Sequence, residues 1–305
     1  SKIQNLAKDF HNLCNFLMGF FVSTCFSRWW AIRNDCIGGL WGAANDLMMI
    51  VSVYFPTDSQ ADRDVRERVL RWAVLSHELV YSQVREESVL DDLVSKGFLK
   101  EEERAILEPL PSRPQVVWAW MCSFFAHLAY GDPAQGGSRL PFPVTVLPQI
   151  YDICRKGRGA IGTAFAYTDT QVPFRYVHFL ALLIWVHNFV QALTSATVIN
   201  HYLLHPHLHS MRNVAWEAAF LILYPTIYFG LLHLGAGMLN PLRAKHDIDF
   251  PRGAFSYFMM AEMRAFCTGN MQPPYGLAPT WCSSAGTSAS GVPSCVKAQA
   301  GEVGR

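Results

Sequence analysis

Apolar and polar positions alternate along this chain in three kinds of pattern. Three runs, about 10–28, 176–198 and 215–238, are nonpolar enough to predict membrane-spanning helices. A hydrocarbon core about 30 Å thick needs about 20 helical residues, so the second and third are long enough and the first is marginal. Between the first and second runs the pattern becomes amphipathic. In Asp62 to Glu86, DRDVRERVLRWAVLSHELVYSQVRE, the side chains of Val65, Val69, Trp72, Leu75 and Leu79 share one helical face and charges take another. Ser88 to Leu110 predicts two short helices broken at Lys96-Gly97 and before Pro109. Gln115 to Tyr130 predicts an aromatic-rich helix ended by Gly131-Asp132-Pro133, and Phe142 to Tyr167 another long one. No strand-like alternation or internal repeat stands out. The expected fold class is all-α: an integral membrane helical protein over residues 1–265, with a cytosolic helical bundle at about 62–167. Residues 266–305, rich in Gly, Ser and Pro, are expected to form a flexible tail that cannot bury enough apolar surface to offset its ordering entropy.

Composition sharpens this picture. The chain is 51% hydrophobic and 16% charged, with a mean hydropathy of +0.14. That is oilier than an ordinary soluble domain and too polar for spanning helices alone. A net charge of +1 gives no global attraction to nucleic acid, which is excluded as an expected partner. The eight cysteines lack any CxxC pair and read as mostly reduced, several of them buried. The chain begins with Ser and shows no charged leader followed by a cleavage site, so the amino end does not reveal a compartment.

The most informative stretch is FLMGFFVSTCFSRWW, residues 16–30. Asn12, Phe16, Phe20, Ser23 and Ser27 recur at steps of four and three, which places them on one helical stripe. Several copies around an axis would stack rings of Asn, Phe, Phe, Ser and Ser. Phenylalanine rings form a constriction that gates by dewetting, and their electropositive edges tolerate an anion better than a cation. On periodicity alone, packing against a neighbouring helix is the commoner explanation of such a stripe. Arg28, Trp29 and Trp30 fit an interfacial belt that ends the membrane portion.

GFF followed by SRWW, then SKGFLKEEERAILEPL, then VWAW, then Tyr167 ahead of Pro173, then Asn240-Pro241 before acidic residues and Phe250, resembles the bestrophin family of anion channels over about residues 10–265. The resemblance implies a homopentamer in membrane lipid, with the pore on its axis and the charged helices around a cytosolic vestibule. It implies passive passage of chloride or bicarbonate, and no enzymatic activity. Phe16 and Phe20 take two of the family's three neck positions. The third falls at Asn12, where an amide replaces an aliphatic side chain, and Ser23 and Ser27 line the lower pore. The family also has a spanning helix before the neck helix. This sequence starts at that helix's threshold, so the subunit is expected either to be shortened or to lack that segment here.

In calcium-responsive members an acidic run follows Asn-Pro. Here NPLRAKHDIDFP leaves Asn240, Asp247 and Asp249 as the candidate ligands, with Arg243, Lys245 and His246 among them. Calcium takes six to eight oxygens, so no cofactor is expected to be required. This eroded run is nearer to plant and algal organellar relatives, which favours an organellar, thylakoid-type membrane.

Other polar groups carry weaker signals. His201, His205, His207 and His209 in NHYLLHPHLH have spacings that suit zinc or copper; a pH-sensitive rim and a solvated loop are the alternatives. His178, His187, Asn188, Gln191 and His233 in the spans should face protein or water. Glu217 is expected in the first turn of the last span, and Arg155, Lys156 and Arg158 form a basic cluster or a solvated face. No GxSxG, P-loop, HExxH or Rossmann glycine pattern occurs. Two rivals to the channel are a non-conducting structural subunit of a larger membrane assembly and a histidine-based metal transporter.

Overall fold

The computed structural model describes residues 2–131, 140–170, 172–205, 211–243 and 248–268, with side chains from Lys8 to Cys267 within those ranges. These residues form helices and connecting loops, and no strand occurs among them. Helix α1 (Lys2–Ala31) passes through a π-helical segment (Ile32–Gly38) into α2 (Gly39–Tyr54) without a break. At 1.5 Å per residue this rod is about 80 Å long, far more than a bilayer core. The helix itself therefore runs on past Arg28-Trp29-Trp30, beyond the expected run of about 10–28. Asn34, Asp35 and the Gly38-Gly39 pair read as a break, but the wide π turn keeps Ile32, Cys36 and Ile37 buried. The Arg33 guanidinium also sits 4.7 Å from the Phe255 ring centroid, which anchors the turn from outside.

Two apolar clusters divide the molecule. The larger is built by α2, α3 (Gln60–Arg85), α4 (Leu90–Ser95), α5 (Glu101–Leu107), α6 (Arg113–Tyr130), α7 (Pro143–Asp169) and α10 (Arg252–Thr268). Helix α3 starts where the Ser59 hydroxyl accepts the Asp62 N–H at 3.2 Å, and ends at Glu86 in the left-handed region. Its apolar stripe of Val65, Val69, Trp72, Leu75 and Leu79 is buried, as its spacing predicts. The two short helices break at Lys96-Gly97, with Gly97 at positive φ. Helix α10 was not foreseen. Met259 and Met263, one turn apart, are buried in the core, so Phe266 and Cys267 are its last turn rather than the start of the tail. The remainder of the tail, from 269, lies outside the described residues.

The smaller cluster joins α1 to α8 (Phe174–Leu204) and α9 (Met211–Met238). Three helical stretches, Lys8–Tyr54, Phe174–Leu204 and Met211–Met238, are long and apolar enough to cross a membrane. Each contains one of the expected runs. Only 22% of the apolar window in α8 and 11% of that in α9 is buried, which leaves large nonpolar faces for lipid or other copies. Since α9 begins at Met211, Glu217 sits in the second turn rather than the first, with the Ser195 hydroxyl 3.5 Å from its carboxylate. Trp29 packs against both clusters and so marks their junction.

Candidate functional site

Helix α1 has two unlike faces. Cys14, Met18, Phe21 and Cys25 are at most 2% exposed and form the seam against α8 and α9. The opposite stripe, Asn12, Phe16, Phe20, Ser23 and Ser27, is exposed, with Phe16 at 70% and Phe20 at 60%. Adjacent phenylalanines thus have opposite surroundings: Phe20 is bare and Phe21 is at 0%. The seam also contains a close approach. A Cβ on Gly235 of α9 would lie 2.4 Å from a Phe21 ring carbon, so only glycine admits that ring.

Polar side chains fix the helix from behind. The Tyr228 hydroxyl donates to Asn15 Oδ1 at 2.6 Å, and the Asn15 amide N–H reaches His11 Nε2 at 3.0 Å. That leaves the His11 Nδ1–H for the Tyr228 oxygen at 3.2 Å and for His187 Nε2 at 3.3 Å, a tautomer assigned from the network. His187 in turn lies 3.5 Å from Asn188 Oδ1. The expectation that His187 and Asn188 face protein thereby gains named partners. His11, Asn15 and Tyr228 were missed, although His11 and Asn15 share a face at i, i+4. His11 and Asn15 flank Asn12 and Phe16, so the network orients the stripe and ties α1 to both other spans.

At the lower end, Arg28 is committed to protein rather than to headgroups. Its guanidinium donates to the carbonyls of Leu239 at 3.2 Å and Thr170 at 2.7 Å and sits over the Tyr167 ring. It locks α1 to the ends of α9 and α7. Trp29 Nε1–H donates to the Ile248 carbonyl at 3.2 Å, while Trp30 remains half exposed beside Phe26.

Two of the candidate calcium residues, Asn240 and Asp249, are among the described residues. Asn240 Oδ1 accepts the Leu242 N–H at 3.4 Å, and Asp249 shares a cleft with Arg85, Lys96 and Arg252. In that lining Arg252 is already paired with Glu78 and Glu87, and Lys96 with Asp92. Asp247 lies outside the described residues, as do His207 and His209. The His201 and His205 rings lie 4.7 Å apart, tilted by 41°, at the C-terminal end of α8. Among the described residues no group of three or more His, Cys, Asp or Glu could hold a metal ion. In the basic cluster, Arg155 and Lys156 both pair with Asp152, at 2.6 and 3.1 Å.

A bundle with three membrane-length helices, one bearing a bare aromatic stripe and all leaving apolar faces open, defines a subunit of an integral membrane protein. Residues 2–251 match the family model described as "Bestrophin, RFP-TM, chloride channel". The chain belongs to the bestrophin family. It is 23% identical over 249 residues to Bestrophin homolog 17 of Caenorhabditis elegans, covering 77% of this chain and 47% of that protein. Against human Bestrophin-2a it is 26% identical over 176 residues, covering 56% and 33%. The chain thus spans about half, or less, of the curated relatives it matches. The crystal structure of a bacterial bestrophin homolog from Klebsiella pneumoniae shares its fold, with a TM-score of 0.65 at 15% identity over 86% of this chain and 87% of the other.

Proposed function

We propose that this chain is a subunit of a homopentameric anion channel that passes chloride or bicarbonate down its electrochemical gradient, in an organellar membrane. Asn12, Phe16 and Phe20 form the neck, and Ser23 and Ser27 line the passage below it. The observation that carries this reading is the pair of faces on α1. One is sealed to α8 and α9; the other holds Phe16 and Phe20 bare beside small and polar residues. A stripe meant only for lipid has no use for Asn12, Ser23 and Ser27, whereas copies around a cyclic axis give every stripe residue a place on the passage. Aromatic ring edges supply the field that favours an anion, and the narrow apolar ring supplies a dewetting barrier.

The test is current across a planar bilayer containing the purified chain, with chloride at unequal concentrations on the two sides. The reading expects a reversal potential near that of chloride, and a higher conductance or leak after Phe16→Ala with Phe20→Ala. A chain that inserts as a pentamer but carries no current would instead support the non-conducting structural subunit.

A further inference from the structure

Two thiols meet across the α6–α7 pair, in the bundle outside the membrane-length helices. We propose that Cys122 and Cys154 form a dithiol site that a small disulfide oxidant of the glutathione-disulfide class converts into an intramolecular Cys122–Cys154 disulfide.

The geometry begins with the helix pair. Helices α6 and α7 run antiparallel: Gln115 approaches Gly162, Trp118 lies on Gly157, and Cys122 meets Cys154. The positions advance along one helix as they retreat along the other. At Gly157 a Cβ would stand 2.5 Å from the Trp118 ring, so that ring lies directly on the α7 backbone and fixes the register of the pair. One helical turn further on, the thiols of Cys122 and Cys154 are in hydrogen-bond contact. A disulfide needs Cα atoms within about 7 Å and Cβ atoms about 4 Å apart, so the facing Cys122 and Cys154 must reach that spacing for the bond to close.

The two sulfurs differ in the way a disulfide exchange requires. Cys122 is partly exposed, and Cys154 is 1% exposed. The Cys154 S–H donates to the Cys122 sulfur, which pulls the Cys122 thiol below its ordinary pKa, while that bond and burial push Cys154 up. Cys122 therefore attacks and Cys154 resolves. In the first step the Cys122 thiolate bonds to one sulfur of the oxidant, the oxidant's S–S bond breaks, and a thiolate leaves. In the second, Cys154 gives up its proton and attacks the Cys122 sulfur of the mixed disulfide, expelling the second thiolate. Two protein thiols are oxidised, one small disulfide is reduced to two thiols, and the two protein protons end on the leaving groups. Of the other described cysteines, Cys14, Cys25 and Cys36 are buried and Cys267 has no cysteine contact comparable to this one.

The test uses the full chain in mild detergent, treated with oxidised glutathione, blocked with N-ethylmaleimide, digested and analysed by mass spectrometry. The expected product is a cross-linked Cys122–Cys154 peptide, lighter than its reduced parts by two hydrogens and lost after dithiothreitol. Cys154→Ser should convert it into a stable glutathione adduct on Cys122, and Cys122→Ser should leave Cys154 unmodified. Gel filtration and helical circular dichroism establish that both variants retain the assembly. The proposal is overturned if wild-type Cys122 keeps the glutathione while Cys154 stays free. It is equally overturned if both thiols are recovered fully alkylated.

Discussion

Replacing Gly235 with alanine is expected to destabilise the membrane helices by about 2 kcal/mol, because α9 presses against the back of the neck helix there. The new Cβ would stand 2.4, 3.1 and 3.2 Å from three carbons of the Phe21 ring. Carbon atoms sit comfortably at about 3.5–4.0 Å, so the nearest contact falls short by more than about 1 Å. The Phe21 ring is wholly buried, with Tyr176 beside it at 6.4 Å between centroids, and has no free direction in which to swing. Either it leaves its rotamer, at about 1 kcal/mol, or α1 and α9 separate and lose dispersion contacts along the seam. The gain in helix propensity from Gly to Ala, at most about 1 kcal/mol, is too small to cancel this. Shortening the ring removes the clash, so Gly235→Ala in a Phe21→Leu background should be neutral or mildly stabilising. A double-mutant cycle on SDS-denaturation midpoints in mixed micelles then gives a coupling of about 2 kcal/mol. An equal effect of Gly235→Ala in both backgrounds would refute the close approach of α9 to α1, and with it the geometry that turns Phe20 outward.

Other expectations follow from the same contacts. His77 is fully buried against Ser256, and burial holds its pKa at about 4 instead of 6.5, with Arg252 reinforcing this and Glu78 opposing it. The unfolded chain therefore takes up a proton before the native one does. Stability should be constant above about pH 6.5, fall by about 3 kcal/mol as pH drops toward 4 and level off below that, and His77→Gln should flatten the profile measured by thermal melting. Tyr228→Phe removes the donor to Asn15 and should cost about 1–2 kcal/mol in the same SDS titration, with a cost near zero speaking against the network. Chelating calcium should leave bilayer currents unchanged, because NPLRAKHDIDFP offers few carboxylates to an ion that takes six to eight oxygens; a large loss of current would show that a bound ion matters.

The sequence revealed some levels of this structure and hid others for definite reasons. The apolar runs in α8 and α9 and the stripe on α3 are local signals, and they lie where hydropathy and a 3.6-residue period put them. The stripe on α1 was legible as a shared face, but periodicity could not decide between packing and exposure until its back, at Met18 and Phe21, was found sealed. Continuity past Trp30 was hidden because Arg33, Asn34, Asp35 and two glycines imitate a loop, and only distant Phe255 reveals what steadies them. Helix α10 was overlooked for a similar reason: its Met259 and Met263 stand next to a Gly/Ser/Pro-rich stretch, and the core that receives them is made by far earlier residues. Contacts such as His77 with Ser256, Arg252 with Glu78 and Tyr228 with Asn15 join residues more than 170 positions apart, and no spacing rule connects them.

The central claim is that the bare stripe of α1 faces an aqueous passage, and thiol accessibility at Phe20 tests it most directly. Phe20→Cys is reconstituted in liposomes and exposed to a charged, membrane-impermeant methanethiosulfonate, with the wild-type chain as the control for its own cysteines. The account predicts rapid modification of the introduced thiol together with a change in anion flux. An introduced thiol that reacts only with a lipid-soluble maleimide, with flux unaltered, would contradict it.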